Sequence, residues 1–160
     1  MIAWRSSVHI RRGPEAVFDF LANLDRVQQA GGSPVLVLEL TTSGPPGLGS
    51  EYREVVQMLP FYKGEIISKI TAFEPPSLLE MVWTGPAMTG RDRYELVEIQ
   101  DGTKLVHQKW TSGRGLLRAM EPFMRRALLP RLEERLGAIK RALEEGQGPV
   151  PASTSLNKDL

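Results

Sequence analysis

His107 is the titratable side chain best suited to chemistry in this chain. An imidazole in an apolar surrounding can take or give a proton near neutral pH. Tyr52 and Tyr94 are phenols that can donate a hydrogen bond to a carbonyl oxygen, or fill core with the hydroxyl satisfied. His107 with Tyr52 or Tyr94 is the only acid/base and carbonyl-donor set to nominate. A satisfied or edge-exposed histidine is the competing reading of His107. His9 falls on the polar side of an alternating segment and is expected in solvent. With two histidines and no cysteine, no metal centre is expected. No cofactor is expected either. The glycine-rich run 44–49 lacks the lysine and Ser/Thr of a phosphate loop, and Pro45 and Pro46 remove backbone donors, so it is expected to be a turn between strands. Glu80 and Glu95 are candidate buried carboxylates, although strand glutamates usually face water. Arg53, Arg91 and Arg93 can meet a carboxylate ligand, or pair with Glu51, Glu54 or Glu95 across a sheet.

Length and composition set the frame for these groups. At 160 residues a single domain with a substantial core is expected. The net charge of +1 and pI near 8.1 supply no strong field for nucleic acid or an anionic membrane. The absence of cysteine fits a reducing compartment. No stretch approaches the roughly 20 apolar residues of a membrane span, and Met1 to Arg5 lacks the pattern of a secretory signal. These features predict a cytoplasmic protein without stable membrane insertion. Residues 146–160 have little to bury and are expected to form a flexible tail behind one domain of residues 1–145.

The elements that must position the candidates follow from periodicity. Ile2, Trp4, Ser6, Val8 and Ile10 alternate with polar neighbours, which predicts a strand with one buried face. Gly13-Pro14-Glu15 opens a helix, with proline at its first position and a carboxylate at the positive end of its dipole. Asn23 or Asp25 is expected to cap a second short helix ending near Gly31-Gly32. Strands are predicted over 34–42, 50–59, 63–73, 78–84, 91–100 and 103–111. Asp101-Gly102 is the strongest hairpin signal, since both residues can take positive φ. Evenly spaced turns predict an antiparallel meander.

Residues 113–145 read as one broken amphipathic helix. Leu132, Leu136, Ile139 and Leu143, spaced four, three and four apart, form one stripe. Residues 130–145 give about 24 Å of helix, enough to cross a sheet. Burying four aliphatic side chains is worth about 6 to 10 kcal/mol before entropy is charged. The preceding stretch, with Leu116, Met120, Phe123, Met124 and Leu128, is apolar on several sides. Pro122 and Pro130 interrupt a helical ladder, and a kink or restart is expected at Pro130. Such a segment suits an adaptable wall or gate, an ordinary core helix, or a surface for a partner or second copy. Arg118, Arg125, Arg126 and Arg131 can also flank a membrane contact.

Strand, two short helices, antiparallel strands and a long C-terminal helix is the helix-grip order, an α+β fold of six or seven strands curved around that helix. Val8-His9-Ile10 with residues 13–21, Gly49-Ser50-Glu51-Tyr52-Arg53, Phe73-Glu74-Pro75-Pro76, Asp101-Gly102-Thr103-Lys104-Leu105 and the final aliphatic stripe resemble the SRPBCC superfamily. That superfamily includes START-type lipid-transfer domains, birch-pollen-allergen-like proteins and polyketide cyclases/dehydratases. The resemblance covers about residues 1–145 and points to a polyketide cyclase/dehydrase-type member. Arg26-Val27-Gln28-Gln29-Ala30 stands where members often carry a tryptophan-containing stretch, so no residue role is carried over there. The resemblance implies a cavity between sheet and helix that takes a hydrophobic or amphipathic small molecule. The expected lining is Tyr52, Ile66, Met81, Trp83, Tyr94, His107, Met120, Phe123 and Met124. Binding or transport ranks first. A cyclase, aromatase or dehydratase using His107 ranks second, and a protein-interaction or homodimerisation module third. No nucleic-acid partner is expected.

Overall fold

The computed structural model describes residues 1–32 and 35–146, without the side chains of Met58 and Leu59. The tail expected over 146–160 lies outside the described residues from position 147 onward.

Seven antiparallel strands form one sheet in the order β1-β7-β6-β5-β4-β3-β2. They are β1 (Ile2–Ile10), β2 (Val35–Leu40), β3 (Glu51–Leu59), β4 (Tyr62–Glu74), β5 (Leu78–Thr84), β6 (Met88–Ile99) and β7 (Gly102–Gly113). Only β1 is placed out of sequence order: it pairs with β7, Ile2 opposite Thr111 and Ile10 opposite Thr103. Helices α1 (Pro14–Ala22) and α2 (Leu24–Ala30) fill the long connection from β1 to β2. Pro14 begins α1, and the Asn23 side chain caps α2 by accepting from the Arg26 amide. Helices α3 (Leu116–Ala119) and α4 (Glu121–Glu144) close the chain. This is the α+β helix-grip arrangement.

Three local expectations need correction. β6 begins at Met88 rather than Arg91, because the Gly85 N–H bonds the Met88 carbonyl and opens the hairpin there. In the β6–β7 turn Gly102 alone takes a positive φ, +144°, while Asp101 does not. A Cβ on Gly102 would lie 2.1 Å from the Ile10 carbonyl oxygen, so close approach as well as backbone freedom asks for glycine. Finally, the C-terminal helix is interrupted at Met120, and the restart expected as one alternative at Pro130 does not occur. Pro122 sits in the first turn of α4, where a missing N–H costs nothing, and α4 runs on through Pro130 to Glu144 without a restart.

The core gathers the inward faces of the strands with α1, α2 and the α4 stripe. Leu132, Leu136, Ile139 and Leu143 are all buried in it, with Phe18, Leu21, Leu79 and Leu105. Against the sheet, α4 lies along β1, with a smaller contact on β7. Polar ties hold it there. Glu133 accepts from the Trp4 indole and the Ser6 hydroxyl, each at 2.9 Å, and Glu144 accepts from the Arg11 amide at 2.9 Å. With α4 anchored along that edge, space opens between it and the strands from β3 to β6.

Candidate functional site

Alternation aims one row of side chains from each strand into that space. Glu54 and Val56 come from β3, Ile66 and Ser68 from β4, Met81 and Trp83 from β5. Asp92 and Tyr94 come from β6, His107 and Lys109 from β7, and all line one cavity of about 770 Å³. Leu21 of α1, Leu24, Val27 and Gln28 of α2, and Leu128, Arg131, Leu132, Glu134, Arg135 and Arg141 of α4 are also in its wall. The lining is mixed: an apolar body with a polar floor and cationic groups from the helix.

Register builds the floor. Antiparallel pairing sets Asp92 opposite Lys109 and Tyr94 opposite His107, so Asp92 meets Lys109 directly and His107 on the diagonal. Its carboxylate takes His107 Nε2 at 2.7 Å on one oxygen. The other oxygen takes Lys109 Nζ at 2.6 Å and the Trp83 indole N–H at 2.9 Å. Trp83 reaches it because Gly90 faces it across the β5–β6 pair. A Cβ at position 90 would fall 2.2 Å from the indole ring. His107 is 2% exposed, stacked on Tyr94 at 4.2 Å between ring centroids and edge-on to Trp4 at 5.1 Å.

The electrostatics follow from burial and these partners. Burial pushes the Asp92 pKa up, but the Lys109 charge and the hydrogen bonds from His107 and Lys109 together outweigh it. The carboxyl is held well below its ordinary range. Burial pulls the His107 pKa below its usual 6.5, against the attraction of Asp92. An ionised Asp92 only accepts, so Nε2 of His107 carries its proton toward Asp92, and in the neutral ring Nδ1 holds the lone pair. Burial, with the Asp92 charge second, raises the Tyr94 pKa far above the usual phenol value, so Tyr94 stays protonated.

A second polar chain crosses the cavity. Glu54 accepts from the Ser68 hydroxyl and the Gln28 amide, both at 2.9 Å, and Gln28 accepts from Arg135 at 3.2 Å. It links sheet, α2 and α4. Burial raises the Glu54 pKa, while the Ser68 bond and the Arg135 charge oppose the rise.

Of the residues nominated from sequence, Ile66, Met81, Trp83, Tyr94 and His107 lie together on this cavity. Tyr52 does not. It is buried where a separate cleft of about 440 Å³ is lined with Asp19, Asp25, Leu38, Leu40 and Phe73. The pairing of His107 with Tyr52 is therefore not assembled, and the phenol beside His107 is Tyr94. Met120 and Phe123 are exposed, and neither they nor Met124 are among the lining residues. Among the strand charges, Arg93 pairs with Glu80 and Glu95 at 3.1 and 2.8 Å, Arg53 pairs with Glu65 at 2.7 Å, and Arg91 covers the Trp110 ring at 4.1 Å. Glu54, expected as a surface partner of these arginines, is instead buried at the cavity. His9 is exposed, as its alternation implies.

Asp92, Lys109 and Glu54 were missed as site residues, although a signal existed. Asp92 shares parity with Tyr94 and Leu96, Lys109 with His107, and Glu54 with Tyr52 and Val56. Among the described residues no cluster of His, Asp and Glu could hold a metal ion, and no helix is long and apolar enough to cross a membrane.

Comparison with known proteins agrees with this fold. No curated protein matches the sequence. Solved structures match the fold. TTHA0849 from Thermus thermophilus has a TM-score of 0.73 at 13% identity, covering 92% of this chain and 100% of its own. A START superfamily protein from Mycobacterium smegmatis has 0.69 at 14%, covering 89% and 97%. The Zhui aromatase/cyclase from Streptomyces sp. R1128 has 0.67 at 14%, covering 92% and 99%. At such identities the likeness shows the fold alone. The sequence itself matches the family described as polyketide cyclase/dehydrase and lipid transport over residues 1–144, and the chain belongs to that family.

Proposed function

We propose that the protein binds an amphipathic small molecule in the cavity between the sheet and α4, as a cytoplasmic carrier or receptor. The ligand's acceptor oxygen, a carbonyl or carboxylate, sits on the polar floor. Its apolar body lies along Leu21, Val27, Val56, Ile66, Met81 and Leu132. The observation that carries this reading is a cavity of about 770 Å³ with one buried polar cluster at its floor. That size falls in the roughly 300 to 1,000 Å³ typical of small-molecule sites, where a few polar groups orient an apolar ligand. Lys109 supports the acceptor end, because an ammonium has three donors and Asp92 takes one. Native mass spectrometry of gently purified protein, and titration with a fluorescent fatty acid, test the proposal. A bound mass or saturable uptake is expected, weakened about tenfold by Lys109→Met. No uptake of any amphipath sinks it.

One feature favours a second reading, acid/base catalysis on a ketone-bearing ligand. Asp92 binds His107 at Nε2, the ring is among the cavity's lining residues, and its neutral form would serve as the base. His107→Gln should then keep ligand uptake and abolish turnover of a poly-β-ketone. Equal turnover in both proteins would remove this reading and leave the first intact.

A further inference from the structure

One end of the molecule carries an unusual surface. The α4 start is fixed there, since the Glu121 carboxylate accepts from the Gly113 amide at 3.0 Å and pairs with the Met1 amine. The β7 end, the β5–β6 turn and the β3–β4 turn lie at this same end, as the strand register requires. From it project Phe61 at 88% exposure, Leu116 at 79%, Phe123 at 78% and Met120 at 45%. Leu116, Met120 and Phe123 follow each other at helical spacing across the α3–α4 junction. Arg114, Arg118, Arg125 and Arg126 are interspersed with them in the sequence, are exposed, and form no ion pair among the described residues. Glu121, the one acid in this stretch, already has its partners. Exposed apolar side chains on a stretch that also carries exposed arginines without ion pairs match a surface that is negative outside and apolar just beneath.

We infer that the α3–α4 end is a peripheral docking surface for an anionic lipid membrane, with Leu116 and Phe123 entering the headgroup boundary and the arginines meeting lipid phosphates. This does not need the ligand reading, because the surface is complete whether or not the cavity is filled. The cavity wall does begin at Leu128, about one turn beyond Met124, so a docked molecule would hold its cavity near the bilayer.

Sedimentation of the full chain with vesicles tests the inference. Binding is expected to phosphatidylcholine mixed with phosphatidylglycerol, to fall as salt rises, and to be weak on phosphatidylcholine alone. Arg125→Glu with Arg126→Glu should weaken it tenfold or more, and Leu116→Ser with Phe123→Ser by a similar factor, with thermal melting unchanged in both. Phe61→Ser, at the hairpin tip, is a further variant with little risk to folding. No vesicle binding overturns the inference. So does equal binding to neutral vesicles, binding that ignores the helix substitutions, or a solution dimer that Phe123→Ser dissociates.

Discussion

The two stretches of the C-terminal segment are similarly rich in aliphatic residues and meet opposite fates. In residues 131–144 the aliphatic side chains fall on one stripe, and all four are buried against the sheet, Ile139 completely. In residues 116–129 they spread around the axis, and most of them lie outside the core cluster. Leu128 and Leu129, next to the boundary, still pack against the core, but Leu116 and Phe123 stand in solvent. Burial is thus decided by where a face points and what lies opposite it, not by apolar content. The polar ties differ too: Glu133 and Glu144 tie the later stretch to β1 and the residue after it, whereas in the early stretch Glu121 is tied to Gly113 and Met1 and, among the described residues, Arg118, Arg125 and Arg126 form no ion pair.

The sharpest way to break this contrast is Ile139→Ala. It removes a fully buried side chain from the stripe and should cost about 4 kcal/mol, within the range of aliphatic core truncations. Urea unfolding measures it. A loss under about 1 kcal/mol would mean that α4 is held by its polar ties instead.

Asp92→Ala comes next, and asks whether the cavity beneath the later stretch depends on charge. It strips His107, Lys109 and Trp83 of their common acceptor and should cost about 3 kcal/mol. The pH dependence has a definite sign. His107 has a folded pKa below its usual 6.5, so below pH 6.5 the unfolded chain takes a proton that the folded one resists, and stability falls. Asp92 is held below its usual 3.8, so its contribution is complete above 3.8 and is lost as pH falls through its folded value. Both act in the same direction. Urea midpoints should decline steadily on acidification below about 6.5, with the most acidic part of the decline missing in Asp92→Ala. Glu54, whose pKa burial raises, acts in the opposite sense, so the decisive protein is Glu54→Gln: a rise in its stability between neutrality and pH 5 would contradict the buried-histidine assignment.

The fold was legible because its signals are local: period-two alternation in β1, Pro14 and Asn23 at helix starts, and prolines and glycines between strands. The site was legible only in part. Alternation says that Tyr94 and Asp92 share a face, but either face of a strand can be the inner one. An aspartate in a strand is ordinarily read as solvated. What buries Asp92 is the register that puts Lys109 opposite it and the Gly90 gap that lets Trp83 reach it, and both are set by neighbouring strands. Tyr52 shows the reverse failure. Its inward face was legible, but which of two cavities it meets depends on where α1 and α2 cross the sheet. The break at Met120 teaches a similar lesson, since proline disrupts a helix by position and Pro122 falls where none is disrupted.

Smaller in effect is Trp4→Phe, which keeps an aromatic ring beside His107 and removes the indole N–H to Glu133 along with part of the buried ring. About 1 kcal/mol is expected. It separates the polar ties from the stripe, because the coupling between Trp4→Phe and Ile139→Ala should be small if the two act independently.

The smallest effect should come from Phe123→Ser, and this near-zero value tests the contrast from its other side. Replacing phenylalanine by serine is among the harsher changes for a packed residue, at about 3 to 5 kcal/mol when the ring is lost from a core. Phe123 has no core to lose. Its ring is 78% exposed, and serine in the first turn of a helix is well tolerated. Urea unfolding should place the variant within about 0.5 kcal/mol of the parent. A cost near that of Ile139→Ala would show that Phe123 packs inward in solution and that both stretches of the helix are core. A neutral result leaves an exposed aromatic ring that folding does not require, which is the condition a docking surface must meet.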